Sequence, residues 1–254
     1  TLDGVSHQLD SKSQAGGHCL HGGPLGFHRQ RFEAEQSEDG QSVRFRYRSP
    51  DGDAGFPGNL SVLVSYQIAD DHSLVIDFEA TTDASTVVNL VNHAYFNLNG
   101  SLNGAASTID NHQVRILADR YTPVDDDLIP TGELLSVEGT RFDLRRLTSL
   151  IAADGNSEPR RFDHNFVLPE AGGKLRLAAE LHSPESGIGM QLHTTQPGLQ
   201  LFTGDYLEPP FQSRQGLCLE AQGFPDAPNQ PAFPSPRLDP GEVYRQRTVY
   251  TFTF

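Results

Sequence analysis

Apolar residues recur at every second position through much of the chain, as in Val43, Phe45 and Tyr47, then Val62, Val64, Tyr66 and Ile68, then Leu74, Ile76 and Phe78. A period of two sends successive side chains to opposite faces of an extended backbone, so each run predicts a half-buried β-strand. Pro50 and Gly52 close the first run, and Ala69-Asp70-Asp71-His72 predicts a hairpin turn between the second and third. Helical periodicity is weak; only the stretch near Arg145 to Ala153 predicts an amphipathic turn or two. Gly (24) and Pro (17) are scattered as punctuation rather than gathered into a linker. With no fixed-period repeat and no shift of composition, the pattern predicts an antiparallel all-β architecture, sandwich or barrel, in one domain over residues 1–254.

Charge narrows the partners. The chain has 254 residues, 33 acidic and 19 basic, for a net charge of −14. That sign argues against a nucleic-acid phosphate track or an anionic membrane surface, both of which recruit clustered cations. No apolar stretch reaches membrane-spanning length. Cys19 and Cys218 are too few for a disulfide framework and, with apolar neighbours Leu20 and Leu219, read as reduced and partly buried thiols.

Three segments crowd polar groups where a strand or tight turn is expected. In Asn89 to Leu98 (NLVNHAYFNL), alternation would send His93, Tyr95 and Asn97 to one face. Three hydrogen-bonding side chains on one strand face are costly unless paired or wet, so the segment reads either as a satisfied polar layer or as a His poised for acid-base chemistry. In Leu217 to Gln222 (LCLEAQ), Glu220 and Gln222 share one face while Leu219 and Ala221 share the other, which makes Glu220 a candidate general base unless the strand is an exposed edge. The Gly-rich loop LHGGPLGF from Leu20 leaves His21 in a tight turn; His18 and His21 make a His-x-x-His pair, but no third ligand follows at a metal-binding spacing. Neither a Gly-x-Ser-x-Gly elbow nor a phosphate-binding Gly loop is present.

Taken in order, these segments resemble the aldose 1-epimerase family, the galactose mutarotases. The matching stretches are LHGGPLGF from Leu20, DGDAGFPGNLSVLVSYQI from Asp51, NLVNHAYFNLNG from Asn89, VEGTRFDLR from Val137, RFDHNFVL from Arg161, TTQPGLQLFTGDYL from Thr194 and LEAQGFPDAPNQPAFPSPRLDPGEVY from Leu219. The resemblance implies a large antiparallel β-sandwich whose concave face holds a free aldose, with no metal and no organic cofactor. It makes His93 of the NH-x-YFNL motif the general acid and Glu220 of the L-E-x-Q motif the general base. His21 of the HGG motif, Asp163 of the FDH motif and Gln200 of the GLQ stretch match positions that hold sugar hydroxyls. A small-molecule sugar is the implied partner, and a cytoplasmic location is expected, with the periplasm or secretion left open.

The chain departs from the family at Ala221, where LETQ is usual, and at Asp205, where TGN is usual; either is expected to tune sugar preference. Members also carry opening strands that supply a substrate-binding Arg. No position here matches it, so the resemblance implies an N-terminally incomplete sandwich, and the parent is expected to encode further β-structure before Thr1. Two rivals remain open. A hexose-6-phosphate epimerase would need extra cations at the cleft rim, and this chain has only Lys12 and Lys174 besides 17 arginines. A non-catalytic carbohydrate-binding sandwich would have no need of His93 and Glu220 together. With no Trp in the chain, any platform for the sugar's apolar face must be Phe or Tyr, and Phe202 is the candidate.

Overall fold

Alternation becomes strand wherever a run finds a ladder partner. The computed structural model describes residues 1–11, 17–69, 71–100, 107–151, 158–169 and 173–254. Among these, the strands in chain order are β1 (Glu33–Gln36), β2 (Ser42–Ser49), β3 (Leu60–Ala69), β4 (Ser73–Thr82), β5 (Thr86–Val87), β6 (Tyr95–Phe96), β7 (Gln113–Ile116), β8 (Arg120–Tyr121) and β9 (Leu135–Ser136). They continue with β10 (Thr148–Ser149), β11 (Asp163–Val167), β12 (Arg176–His182), β13 (Gly189–Thr194), β14 (Gly198–Phe202), β15 (Leu217–Gln222), β16 (Arg237–Leu238) and β17 (Tyr244–Thr253). Helical content among the described residues is limited to single 3₁₀ turns such as Phe27–Arg29, and no helix is long and apolar enough to cross a membrane.

The chain divides into two compact units. The first comprises Thr1–Ala69, Val75–Asn89 and Ser235–Gln246. Its strands pair in the order β1-β2-β3-β4, and β5 pairs with β16. The three apolar runs of the sequence are β2, β3 and β4, and the register places Phe45 opposite Val64 and Tyr47 opposite Val62 on one face. Phe27 and Phe32 pack on Tyr47 with ring centroids 5.3 and 5.1 Å away, which covers that face. The HGG turn also belongs here. Gly23 adopts φ 85°, and a Cβ on it would stand 2.8 Å from the Asp10 carbonyl oxygen, so only glycine fits. His21 precedes it at φ 55°, exposed, with the His28 ring 6.4 Å away edge-on.

The second unit comprises Asp70–Leu74, Leu90–Pro234 and Arg247–Phe254. Here two antiparallel layers face each other: one has strand order β17-β13-β12-β7-β10, the other β6-β15-β14-β11-β8-β9. Between them lie Ile116, Leu181, Met190, Leu192 and Tyr250 from the first layer and Phe166, Leu199, Leu201, Leu217 and Leu219 from the second, all buried. Tyr250 ties the layers together: its ring packs on Phe96 at 5.1 Å, and its hydroxyl donates to the Leu219 carbonyl at 3.4 Å. The sheets are open, so the architecture is a sandwich rather than a barrel.

Two sequence expectations fail. The stretch from Arg145 is not helical: Thr148 and Ser149 form β10 and pair with Val114 and Gln113 of β7. The Asp143 carboxylate binds Arg145, and the Thr148 hydroxyl donates to the Arg146 carbonyl, giving the backbone local partners other than a helical turn. The Asn89 to Leu98 segment shortens to the two-residue β6, because Asn97 spends its amide on the carbonyls of Ser107 and Gln215 instead of presenting it beside His93. Asp70 of the expected hairpin turn, Ala152 and Ala153 of the expected helical stretch, and Lys12 lie outside the described residues.

Candidate active site

Alternation on the six-stranded layer collects the candidate residues. Every residue of β15 is buried, yet its two faces differ: Leu217, Leu219 and Ala221 point into the sandwich, while Cys218, Glu220 and Gln222 point the other way. The register extends this polar face sideways. Asn165, Gln200 and Glu220 stand opposite one another across β11, β14 and β15. Asp163, Phe202, Cys218 and Tyr95 form the neighbouring row. Directly opposed side chains in antiparallel strands lie about 5 Å apart, so these residues form one contiguous polar surface.

His93 stands just before β6 and lies across this surface. Its ring stacks on Tyr95 with centroids 5.3 Å apart and planes 28° apart. Nδ1 is 3.3 Å from Cys218 Sγ, and Nε2 is 3.5 Å from Glu220 Oε1. Cys218 and Glu220 are two residues apart on one strand face, about 7 Å along the backbone. The imidazole therefore bridges them with one nitrogen toward each. Tyr95 in turn meets Phe202 edge-on at 6.2 Å, and Phe202 stacks on the exposed Tyr206 at 6.0 Å, an aromatic shelf leading away from His93.

Beside the pair, Gln200 Nε2 donates to Asp163 Oδ1 at 2.7 Å. The other amide atom, Gln200 Oε1, is buried with no hydrogen-bond partner among the described residues, and so is Asn165 Oδ1. Asp205 occupies the family's usual Asn position; its side chain is little exposed and paired with Arg214 at 3.3 Å and Arg161 at 3.6 Å, so its charge is compensated. Ala221 faces the core opposite Leu199, not the Glu220 side, which removes it from direct contact with anything on the polar face.

Burial sets the protonation. Loss of solvent, reinforced by the Asp163 charge, pushes Glu220 up to about 8. Burial lowers His93 below its ordinary value, opposed by hydrogen bonding and by Asp163. Asp163 is itself raised by burial, against the Gln200 hydrogen bond. The Cys218 thiol is pushed far up, chiefly by burial and then by Glu220, and the Tyr95 phenol rises to about 12, chiefly by burial and then by Cys218 and Glu220. A buried carboxyl held up and a half-buried imidazole held down, 3.5 Å apart, favour one proton on the pair across neutral pH.

Four of the five site residues expected from sequence, His93, Glu220, Asp163 and Gln200, thus meet on one sheet face; His21 belongs to the first unit. Cys218 and Asn165 escaped the sequence reading. For Cys218 the signal was present in the period of two that relates it to Glu220 and Gln222.

A family model described as aldose 1-epimerase matches residues 1–251. Among curated proteins, an aldose 1-epimerase from Escherichia coli is 40% identical over 265 residues, covering 99% of this chain and 75% of its own. A galactose mutarotase from Bos taurus is 41% identical over 261 residues, covering 100% and 74%. Among solved structures, an aldose epimerase homologue from C. elegans superposes with a TM-score of 0.88 at 31% identity, covering 100% of this chain and 77% of that one. A galactose 1-epimerase from Lactobacillus acidophilus gives a TM-score of 0.79 at 28% identity, covering 97% and 73%.

Proposed function

The chain belongs to the aldose 1-epimerase family, and on that premise we propose that it interconverts the α and β anomers of free aldohexoses such as galactose and glucose through His93 and Glu220. The reaction opens the ring by breaking the bond between C1 and the ring oxygen, rotates the aldehyde, and closes on its other face. One group must take the proton of the C1 hydroxyl while another delivers a proton to the ring oxygen. The observation that carries the reading is the 3.5 Å contact between Glu220, buried on β15, and the half-buried His93 imidazole.

The shared proton defines the working cycle. In the resting pair it resides on Glu220, because burial disfavours both the carboxylate and the imidazolium. Catalysis needs the tautomer with the proton on His93, so a bound sugar whose C1 hydroxyl donates to Glu220 favours the working form. Glu220 then accepts the hydroxyl proton as His93 Nε2–H protonates the ring oxygen, and the roles reverse on closure. Each transfer contributes roughly 10²- to 10⁴-fold, using side chains and substrate alone. Asp163 accepts from sugar hydroxyls and Gln200 orients it, which adds an entropic gain from fixed orientation. For His21, the HGG motif supports a role in holding hydroxyls. Phe202, on the same face as Asp163, is the platform for the sugar's apolar side.

Polarimetry of freshly dissolved α-galactose and α-glucose tests the reading. The protein should speed the approach to anomeric equilibrium with chelator present. Glu220→Gln keeps the shape but cannot take the proton, and its kcat should fall by about 10²-fold or more. His93→Asn should lose kcat in preference to raising KM, as expected of a group that acts in the transition state. Retention of most turnover by Glu220→Gln would remove it from the role of base.

A further inference from the structure

We propose that His93, Cys218 and Glu220 also form a binding site for one thiophilic divalent cation, with zinc as the type, and that its occupancy excludes sugar. Each residue offers one donor atom, and these atoms lie within 4.8 Å of one another. Ligands on a tetrahedral zinc with bonds of 2.0–2.3 Å stand roughly 3.5 Å apart, so the donors must draw closer by about an ångström, with the imidazole turning to offer one nitrogen between Cys218 and Glu220. The donor set is nitrogen, sulfur and oxygen, which suits zinc or cadmium and is a poor match for magnesium or calcium. It is the one grouping of this kind among the described residues.

On binding, the Cys218 thiol loses its proton to solvent as the metal–sulfur bond forms, Glu220 loses its own proton, and His93 binds as the neutral ring. The cation then holds both groups assigned above to proton transfer. That exclusion of sugar rests on the proposed reading of the site; the coordination itself does not.

The test is a titration of the intact, metal-free protein with cadmium, followed by the ultraviolet thiolate-to-cadmium charge-transfer band and by calorimetry. One equivalent with a thiolate band is expected, and Cys218→Ser should lose the band and weaken binding by more than about 100-fold, since even residues that only support a ligand cost 10–100-fold. Circular dichroism of Cys218→Ser controls for folding. Zinc should bind at the same stoichiometry, compete with galactose, and suppress mutarotation reversibly, with recovery on adding chelator. A titration without the thiolate band, or equal affinity in folded Cys218→Ser, would overturn the proposal. Cadmium bound through Cys218 while galactose turnover continues unaffected would uphold the coordination and overturn both the exclusion and the placement of sugar at this pair. Because mutarotase activity is measured separately in chelator, a missing metal site leaves the catalytic reading standing.

Discussion

The two faces of strands β11, β14 and β15 share a backbone and almost nothing else. Toward the sandwich they present Phe166, Leu199, Leu201, Leu217 and Leu219, every one buried against apolar neighbours. Each such side chain stabilises the fold by roughly 1.5–3 kcal/mol through burial. On the opposite side the same strands present Asp163, Gln200, Cys218 and Glu220, with two buried amide oxygens that find no partner among the described residues and a carboxyl held far from its usual titration range. Burial of such groups costs stability. The contrast teaches that the site sits on a rigid floor: the apolar face holds the strands in register, so the polar face can carry groups that would prefer water.

The largest effect that would break this contrast comes from the floor. Phe166→Ala should destabilise by about 3–5 kcal/mol, because a closely packed layer collapses only partly around the missing ring. Denaturant midpoints would read it, and a cost under about 1 kcal/mol would mean that the layer is loosely packed.

The opposite sign is expected on the other face. Glu220 ionises at about 8 when folded and near 4.5 when unfolded. Below 4.5 the carboxyl is protonated in both states and costs nothing through ionisation. As pH rises from 4.5 to 8 the unfolded chain releases a proton that the folded one retains, so stability falls, and the penalty is complete above 8. Glu220→Gln should therefore match the parent in unfolding free energy near pH 4 and exceed it at pH 8.5, by an amount of order a few kcal/mol, with a higher melting temperature at pH 8.5 only. A parent and variant that melt together at both pH values would place the carboxylate in a solvated setting.

The smallest effect concerns Asp163. If the one-proton pair is the active form, kcat/KM is bell-shaped, with an alkaline limb near 8 and an acid limb below the ordinary histidine range. Asp163→Asn removes the charge that helps raise Glu220, so the alkaline limb should move to lower pH. A merely structural role for Asp163 would change KM and leave the limb in place.

Much of this was legible in sequence because period two is a strong signal when an apolar face exists. The runs that became β2, β3 and β4 were visible, as were the two faces of β15, which put Glu220 and Gln222 on the side away from Leu219. The segment around His93 was misread as a longer strand, since polar residues whose partners lie far along the chain, such as Asn97 with Gln215, carry no periodic mark. The expected turn at Arg145 failed for a related reason: weak local propensity yielded to pairing of Thr148 with Val114, 34 residues earlier. Contact of His93 with Cys218 was invisible because it depends on the angle at which the chain enters β6, which no residue pattern encodes. The family resemblance supplied Asp163 and Gln200, where spacing alone did not.

The stack of Tyr95 on His93 has an optical consequence. The chain contains seven tyrosines and no tryptophan, so no indole drains tyrosine emission by energy transfer. Tyr95 adjoins both the imidazole and the Cys218 thiol, each able to quench a phenol, and its pKa is pushed up to about 12, so its absorption stays that of the neutral ring through ordinary buffers. Any molecule that moves His93 or displaces water from that ring alters the lifetime of one tyrosine among seven. The protein thus carries an intrinsic, label-free reporter beside the groups proposed to react, through which occupancy can be followed in real time under conditions where polarimetry sees only the average rotation of the sugar.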